Sequence, residues 1–248
     1  MAVWAIADLH LSFGVEGKEM DKFGPHWQNH PGKIEDAWRR LVREEDLILI
    51  PGDVSWARTE QEAEPDLAWI HALPGHKLLL KGNHDYWWPK TRTQLDALLP
   101  DSISALHKHE AFAWNEFAVG GARLWDLPDV SFRKIIDWRP TPRARKPDSG
   151  FDDAKILQRE LDLLRGSLAA ISNDAAKRIC ITHYPPGSPE LADSEPIEII
   201  ESQGIHKVVF GHLHSVNRNA PVFGSRNGVQ YLLASADYIN FTPIRIYS

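Results

Sequence analysis

Leu78-Leu79-Leu80-Lys81-Gly82-Asn83-His84-Asp85 joins an apolar run to the polar cluster that ends it. The run is too short for a core helix and is closed by glycine, so it reads as the end of a buried strand, Lys77 to Leu80. Four other runs rich in Val, Ile and Leu have the same form: Val3 to Ala7, Leu47 to Ile50, Arg178 to Thr182 and Lys207 to Phe210. Between these runs lie helical patterns, Ile34 to Val42 and Glu60 to Leu73, the second opened by Thr59 and Glu62 at capping-box spacing. Pro65 kinks that helix or marks its true start. A third pattern runs from about Phe151 to Ile171, with Leu157, Leu161, Leu164, Leu168 and Ile171 on one face and Ser149 with Asp152 ahead of it as a cap. Strands alternating with helices predict an α/β fold with a largely parallel sheet covered on both faces. Val229 to Leu233 and Ile244 to Tyr247 read as further strands without an intervening helix, so a mixed or second sheet is expected.

The residues that follow each strand carry the chemistry. Val3 to Ala7 is followed by Asp8-Leu9-His10, Leu47 to Pro51 by Gly52-Asp53, and Leu78 to Lys81 by Gly82-Asn83-His84-Asp85. Arg178 to Thr182 is followed by His183, and Lys207 to Phe210 by Gly211-His212-Leu213-His214. Ligands bind at the carboxyl edge of strands in open α/β sheets, so these segments are expected to converge on one crevice. Residues two apart in an extended segment point the same way, which would let Asp8 with His10, and His212 with His214, each act as a pair. Glycines at 52, 82 and 211 would allow sharp turns and close approach. Burying so many carboxylates and imidazoles for packing alone would cost several kcal/mol per unpaired ion. A metal centre explains them at once.

Composition narrows the classes. The 248 residues are 43% hydrophobic and 25% charged, which excludes a disordered tail or a fibre. The single cysteine, Cys180, rules out an internal disulfide and a thiolate-rich zinc site, favours a reducing compartment, and lies in a strand where it is expected to be inert. No apolar run approaches the ~20 residues of a membrane span. Met1 to Leu9 lacks the basic flank of a secretory signal, and the expectation is a cytoplasmic protein with no membrane partner. The formal charge of −6 argues against a general nucleic-acid binder. Between Gly121 and Gly150, however, seven basic residues (Arg123, Arg133, Lys134, Arg139, Arg143, Arg145, Lys146) face four Asp, a local +3 that leaves −9 elsewhere. This segment is a solvated loop or a phosphate-facing patch.

Residues 1–248 are expected to form a single domain with loop insertions at about 11–32 and 127–150. Loops of that length are usually functional or disordered. Lys18, His26 and His30 in the first, and Arg123, Arg133 or Arg139 near the second, are candidates for binding a substrate phosphate or carboxylate. Trp87 and Trp88 are candidates for stacking on a base or sugar, packing being the commoner use of tryptophan. His71, His76, His107, His109 and His206 are left as ordinary core or surface residues. No Gly-x-Ser-x-Gly, P-loop or dinucleotide Gly-x-Gly-x-x-Gly is present.

The order Asp-x-His, Gly-Asp, Gly-Asn-His-Asp, a later His and Gly-His-x-His, running from Asp8 to His214, resembles that of the calcineurin-like metallophosphoesterases. The resemblance implies a four-layer α-β-β-α sandwich of two mixed sheets and a site for two divalent metal ions. Carried over residue by residue, Asp8, His10, Asp53 and His214 would hold the first ion. Asn83, His183, His212 and again Asp53 would hold the second, with Asp53 as the bridge. Asp8 to Ser12, Lys18, Met20 to Gly24, and Gly82 to Trp88 are also similar to a bacterial subgroup of predicted phosphohydrolases.

Nitrogen and oxygen donors without sulfur suit Mn, Fe, Zn, Co or Ni and disfavour a site for Mg or Ca alone. Two divalent ions, less two aspartates and a hydroxide, leave about one positive charge facing the crevice, which suits a phosphorylated small molecule. The expected reaction is hydrolysis of a phosphate mono- or diester by in-line attack of a metal-bridging hydroxide. His84 would protonate the departing oxygen or stabilise the transition state as a cation, oriented by Asp85. Other readings stay open: a non-catalytic protein-binding scaffold of the same fold, or a nuclease or nucleotide pyrophosphatase. The stretch Ala7 to Leu11 is similar to that of UDP-diacylglucosamine pyrophosphatases, which have Arg where this chain has His84.

Overall fold

Val3–Ala5 (β1) and Leu47–Pro51 (β2) are buried along their whole length, as strands covered on both faces must be. In chain order the elements are β1, α1 (His30–Leu41), β2, α2 (Glu60–His71), β3 (His76–Leu80), α3 (Arg92–Leu98), β4 (Ile103–Ala105), β5 (Phe112–Trp114) and β6 (Phe117–Ala122). There follow α4 (Ser149–Ala169), β7 (Lys177–Thr182), α5 (Glu195–Ser202), β8 (Lys207–Phe210), β9 (Gly224–Arg226), β10 (Val229–Leu233) and β11 (Ile244–Tyr247). The structure is a computed structural model that describes residues 1–137, 149–172 and 174–248, the side chains of 149–151 excepted.

The chain forms two compact units, Met1–His107 with Ala234–Ser248, and Lys108–Leu233. The first holds a sheet of order β11-β1-β2-β3-β4, parallel from β1 to β4 and antiparallel where β11 joins β1. The second holds β5-β6-β7-β8-β10-β9, parallel through its middle and antiparallel at both edges. The expected α/β class with two mixed sheets is what forms. In the first unit Ile34 and Trp38 of α1, and Leu67 and Ile70 of α2, pack with Ile48, Ile50 and Leu79 in one buried cluster. Among the described residues no helix is long and apolar enough to cross a membrane.

The five strands read from apolar runs form at their expected places, although β1 ends at Ala5 and Ala7 makes only an isolated parallel bridge to Ser235. The Thr59 capping box forms with both of its hydrogen bonds, and Pro65 lies inside α2 without ending it. Helix α1 starts at His30 rather than Ile34, since Pro31 fits the first turn, where its missing N–H has no partner to lose. Residues 11–32, read as a loop, also contain short 3-10 turns at Met20–Phe23 and Pro25–Trp27, pinned by buried Met20 and Trp27. Strand β6 escaped the apolar-run reading because Gly120 and Gly121 interrupt it. A Cβ at Gly120 would stand 3.0 Å from the Ser167 carbonyl oxygen of α4, so the glycine permits close helix packing.

Lys77 in β3 is fully buried, and its ammonium caps the end of α2 by donating to the carbonyls of Leu73 and His71 and to Ser102 Oγ. Burial pushes it down to about 8 from an ordinary 10.5. The unfolded chain therefore binds more protons than the folded one between these values, and stability rises with pH across that window. Compared with Lys77→Met, the wild type is expected to gain on the order of 2 kcal/mol between pH 8 and pH 9.5, read from urea unfolding at each pH.

Candidate metal centre

In the first unit the loops after β1 and β2 run side by side. The Asp8 N–H donates to Gly52 O, His10 N–H to Asp53 O and Leu11 N–H to Val54 O, each at 3.0 Å, and Trp56 N–H returns to Leu11 O at 2.9 Å. Asp8, His10 and Asp53 have φ of 58°, 45° and 52°, left-handed values that cost about 1–3 kcal/mol for residues with a Cβ. The expectation that Asp8 and His10 pair because the segment is extended is therefore corrected. They share a side because two left-handed residues flank Leu9. The imidazole of His30, buried at the start of α1, bonds to Leu9 O at 3.0 Å and so fixes the peptide between them.

Asp53 is the hub of this unit. Its Oδ1 accepts the His84 N–H at 2.8 Å, and its Oδ2 stands 3.7 Å from His10 Nε2. One ligand atom of Asp8 lies within 4.8 Å of one on Asp53, and the same holds between Asp8 and His10. Asp8, His10 and Asp53 are 0%, 2% and 2% exposed, too little for water to screen two neighbouring carboxylates. Gly82 makes the approach possible: a Cβ there would stand 2.1 Å from Asp53 Oδ1 and 2.2 Å from Asp53 N. Of the three glycines read as turn residues, Gly52 takes a positive φ, 89°, whereas Gly82 is needed for space.

A second buried layer lies beneath. Asp85 Oδ1 accepts from the N–H groups of Val54 and Ser55 and from Trp87 Nε1, and its Oδ2 accepts from Gly82 N–H. Asp85 therefore clamps the loop after β3 onto the loop after β2. These described bonds go to backbone and tryptophan, which gives Asp85 a different task from the expected one of orienting the His84 ring. Burial, and next the charge of Asp53, push its carboxyl above the usual range, against the pull of those donors. Ser55 Oγ donates to Asp66 Oδ2, and Asp66 Oδ1 accepts the Phe13 N–H, so α2 holds both loops from below. Burial raises Asp66 to about 6.

Trp56, which no sequence pattern singled out, shapes the wall of this cluster. Its ring stacks on His10 at 4.9 Å and 22°, and lies 4.4 Å from the His84 ring at 47°. Lys18 Nζ sits over the Trp56 ring at 5.1 Å, which places this residue of the first long loop beside the candidate ligands. The available signal was position: Trp56 follows Asp53 by three residues, within the same loop.

In the second unit the same strand-edge logic applies to β7 and β8. The His183 and Tyr184 N–H groups both donate to Arg123 O, at 3.2 and 2.9 Å, and Gly211 N–H donates to His183 O at 3.1 Å. His212, with φ of 70°, is thereby set against His183: their rings are 5.1 Å apart at 75°, with His212 Nδ1 3.3 Å from His183 Nε2. Tyr184 packs on His212 at 4.0 Å. Two nitrogen ligands with ~2.0–2.1 Å bonds to one tetrahedral ion stand about 3.3 Å apart, so this pair is already spaced for a shared cation. His214 is half-buried, two residues beyond.

Residues 1–216 match the profile of the family described as calcineurin-like phosphoesterase. This chain belongs to that family. The gene 66 proteins of Mycobacterium phages D29 and L5 are 33% and 32% identical to it over 90 and 89 residues, 36% of this chain in each case. The match spans 43% and 42% of those relatives, less than half their length. Two solved structures align at 14% identity: a protein of unknown function, AQ665, from Aquifex aeolicus, with a TM-score of 0.48 over 98% of this chain and 95% of that one, and a phosphopantetheinyl hydrolase from Mycobacterium tuberculosis, with 0.47 over 99% and 95%. Calcineurin-like phosphoesterases use divalent metal ions. The donors here fit such ions: buried carboxylates crowded against an imidazole in one unit, facing imidazole nitrogens in the other, and no sulfur.

The candidates for substrate contact fare differently in this chain. Trp87 is 2% exposed with its N–H spent on Asp85, and Trp88 is also in the core, so packing claims both rings; the exposed aromatic is Tyr86, 61% accessible. His30 is buried and bonded to Leu9 O, which corrects its reading as a phosphate ligand. Arg123 pairs with buried Glu160 at 3.0 Å and stacks on Trp125 at 4.8 Å, a use within its own unit. Arg133 is exposed on the segment before 138, and His26 is exposed on the second 3-10 turn. Arg139, Arg143, Arg145 and Lys146 lie outside the described residues. Cys180 is buried in β7, and burial pushes its thiol up, in keeping with an inert residue.

Asp85→Asn keeps the shape and turns one acceptor into a donor, setting an N–H against an N–H at Gly82 or at Val54 and Ser55. We expect a loss of about 1–3 kcal/mol in stability by denaturant titration. Metal affinity, read by competition with a chelating dye, should fall about tenfold or more.

Proposed function

We propose that this chain is a metal-dependent phosphoesterase that hydrolyses a phosphate mono- or diester of a small molecule. One observation supports the reading above the others: Asp8 and Asp53, both buried, are crowded together with His10, and Asp53 also holds the His84 N–H. Such a cluster is costly unless cations share it. Following the family's order, Asp8, His10, Asp53 and His214 would hold one ion, and Asn83, His183, His212 and Asp53 the other. The donor types suit Mn, Fe, Zn, Co or Ni.

Bound ions of this kind neutralise charge on phosphate oxygens and acidify water, which supplies the nucleophile. The chain's own residues do the remaining work. Asp53, by accepting the His84 N–H, fixes the backbone that carries the His84 ring at the carboxyl edge of β3. The ring packs against Trp56 and stays half-buried, which limits its rotamers. As the ester P–O bond breaks and water adds its oxygen to phosphorus, His84 gives a proton to the departing oxygen, releasing an alcohol and a phosphate. Lys18, over Trp56, adds positive charge on the side of the first long loop.

His84→Ala is expected to keep its metal, measured by elemental analysis, and to lose turnover of a generic aryl phosphate by about 10²–10⁴-fold. Unchanged turnover removes His84 from the chemistry. A preparation of known metal content that hydrolyses neither monoesters nor diesters overturns the enzyme reading in favour of a binding scaffold.

A further inference from the structure

Tyr86 leaves its neighbours Trp87 and Trp88 in the core and stands 61% exposed, with its ring edge-on to His84 at 6.2 Å and 80°. It opens onto a cavity of about 530 Å³, bounded on one side by the start of α2 and on the other by the segment leading to α3. Two cations line this cavity, Arg58 and Lys90, both exposed and neither in an ion pair among the described residues. Arg58 has its backbone N–H bound to the capping carboxylate of Glu62, which fixes its place at the rim. One carboxylate, Glu60, also lines the cavity, so positive charge remains in excess. Thr59, Gln61 and Gln94 are neutral hydrogen-bonding residues of the same lining.

We infer that this cavity is a leaving-group subsite, and that the preferred substrates are phosphate esters of a planar aromatic alcohol that carries a second anionic group. The inference rests on the phosphoesterase reading and on the place of His84 beside the departing oxygen. A leaving group next to His84 lies next to Tyr86, whose exposed face offers an aromatic ring an offset or edge-on partner. Beyond Tyr86 the leaving group meets Arg58 and Lys90, whose charges are in no ion pair among the described residues and can meet an anion on the substrate. An alkyl phosphate fills neither requirement. All the groups named belong to the first unit.

The test compares 4-carboxyphenyl phosphate, phenyl phosphate and glycerol 3-phosphate on the metal-loaded protein and on two variants. Intrinsic reactivity cancels when ratios of kcat/KM are compared between variant and wild type. Tyr86→Ala is expected to lower the phenyl-to-glycerol ratio about fivefold. Arg58→Ala with Lys90→Ala is expected to lower the carboxyphenyl-to-phenyl ratio by a similar factor, more at low ionic strength than at high. A second readout needs no turnover: saturation-transfer NMR of 4-carboxyphenylphosphonate, with expected signal in the wild type that weakens in both variants. Unaltered ratios together with unaltered NMR signals overturn the subsite. Absence of hydrolysis of all three esters, with the NMR difference retained, overturns the phosphoesterase reading and leaves an anionic-aromatic binding site in place.

Discussion

Two carboxylates that cannot reach water set the terms for the first unit. Asp8 and Asp53 lie close together below the surface, and their mutual repulsion has to be met by positive charge or by protonation. The backbone is arranged around that problem. Glycine at 82 lets the loop after β3 come within contact of Asp53, and an amide hydrogen from His84 is aimed at its oxygen. Three residues in left-handed conformation hold the side chains where an extended chain would splay them. Conformational cost of this kind persists when the surrounding structure over-determines it, and it concentrates where ligands bind.

The over-determination is visible one layer down. Asp85, Ser55 and Asp66 form a buried polar chain that joins the three loops of the first unit to the body of α2, and each member has hydrogen-bond partners. Groups that bind an ion or a substrate work best when the residues behind them are themselves locked. His30 and Trp56 serve the same end from the side, one through the carbonyl of Leu9 and the other through the faces of His10 and His84. Through His30 and Lys18 the first long loop is therefore part of the architecture of this cluster.

Much of this was legible in the chain. Period and length identified β2, β3, β7, β8, β10 and β11, and the residues singled out just past β2 and β3 are ones the structure brings together. The helix opening at Thr59 was marked by its own side chains, because a capping box is a local interaction. What escaped notice depended on distant partners. Strand β6 contains glycines that make sense only once α4 lies against them. Composition does not tell which of two adjacent aromatics turns inward: the Trp87 indole N–H found a carboxylate two residues back, and Tyr86, which carried no expectation, stayed outside. Trp56 and His30 likewise act through contacts made across loops, with no periodic pattern to announce them.

Strand β11 lies at the edge of the first sheet as the antiparallel neighbour of β1, while Lys108–Leu233 is one uninterrupted stretch between the two parts of the first unit. The order of synthesis thus differs from the order of completion. During translation the inserted unit has all of its strands before the host sheet receives its last one, and β1 waits more than two hundred residues for its edge partner. Contacts so far apart in sequence carry a large loop-closure entropy, so the host sheet is expected to be completed last.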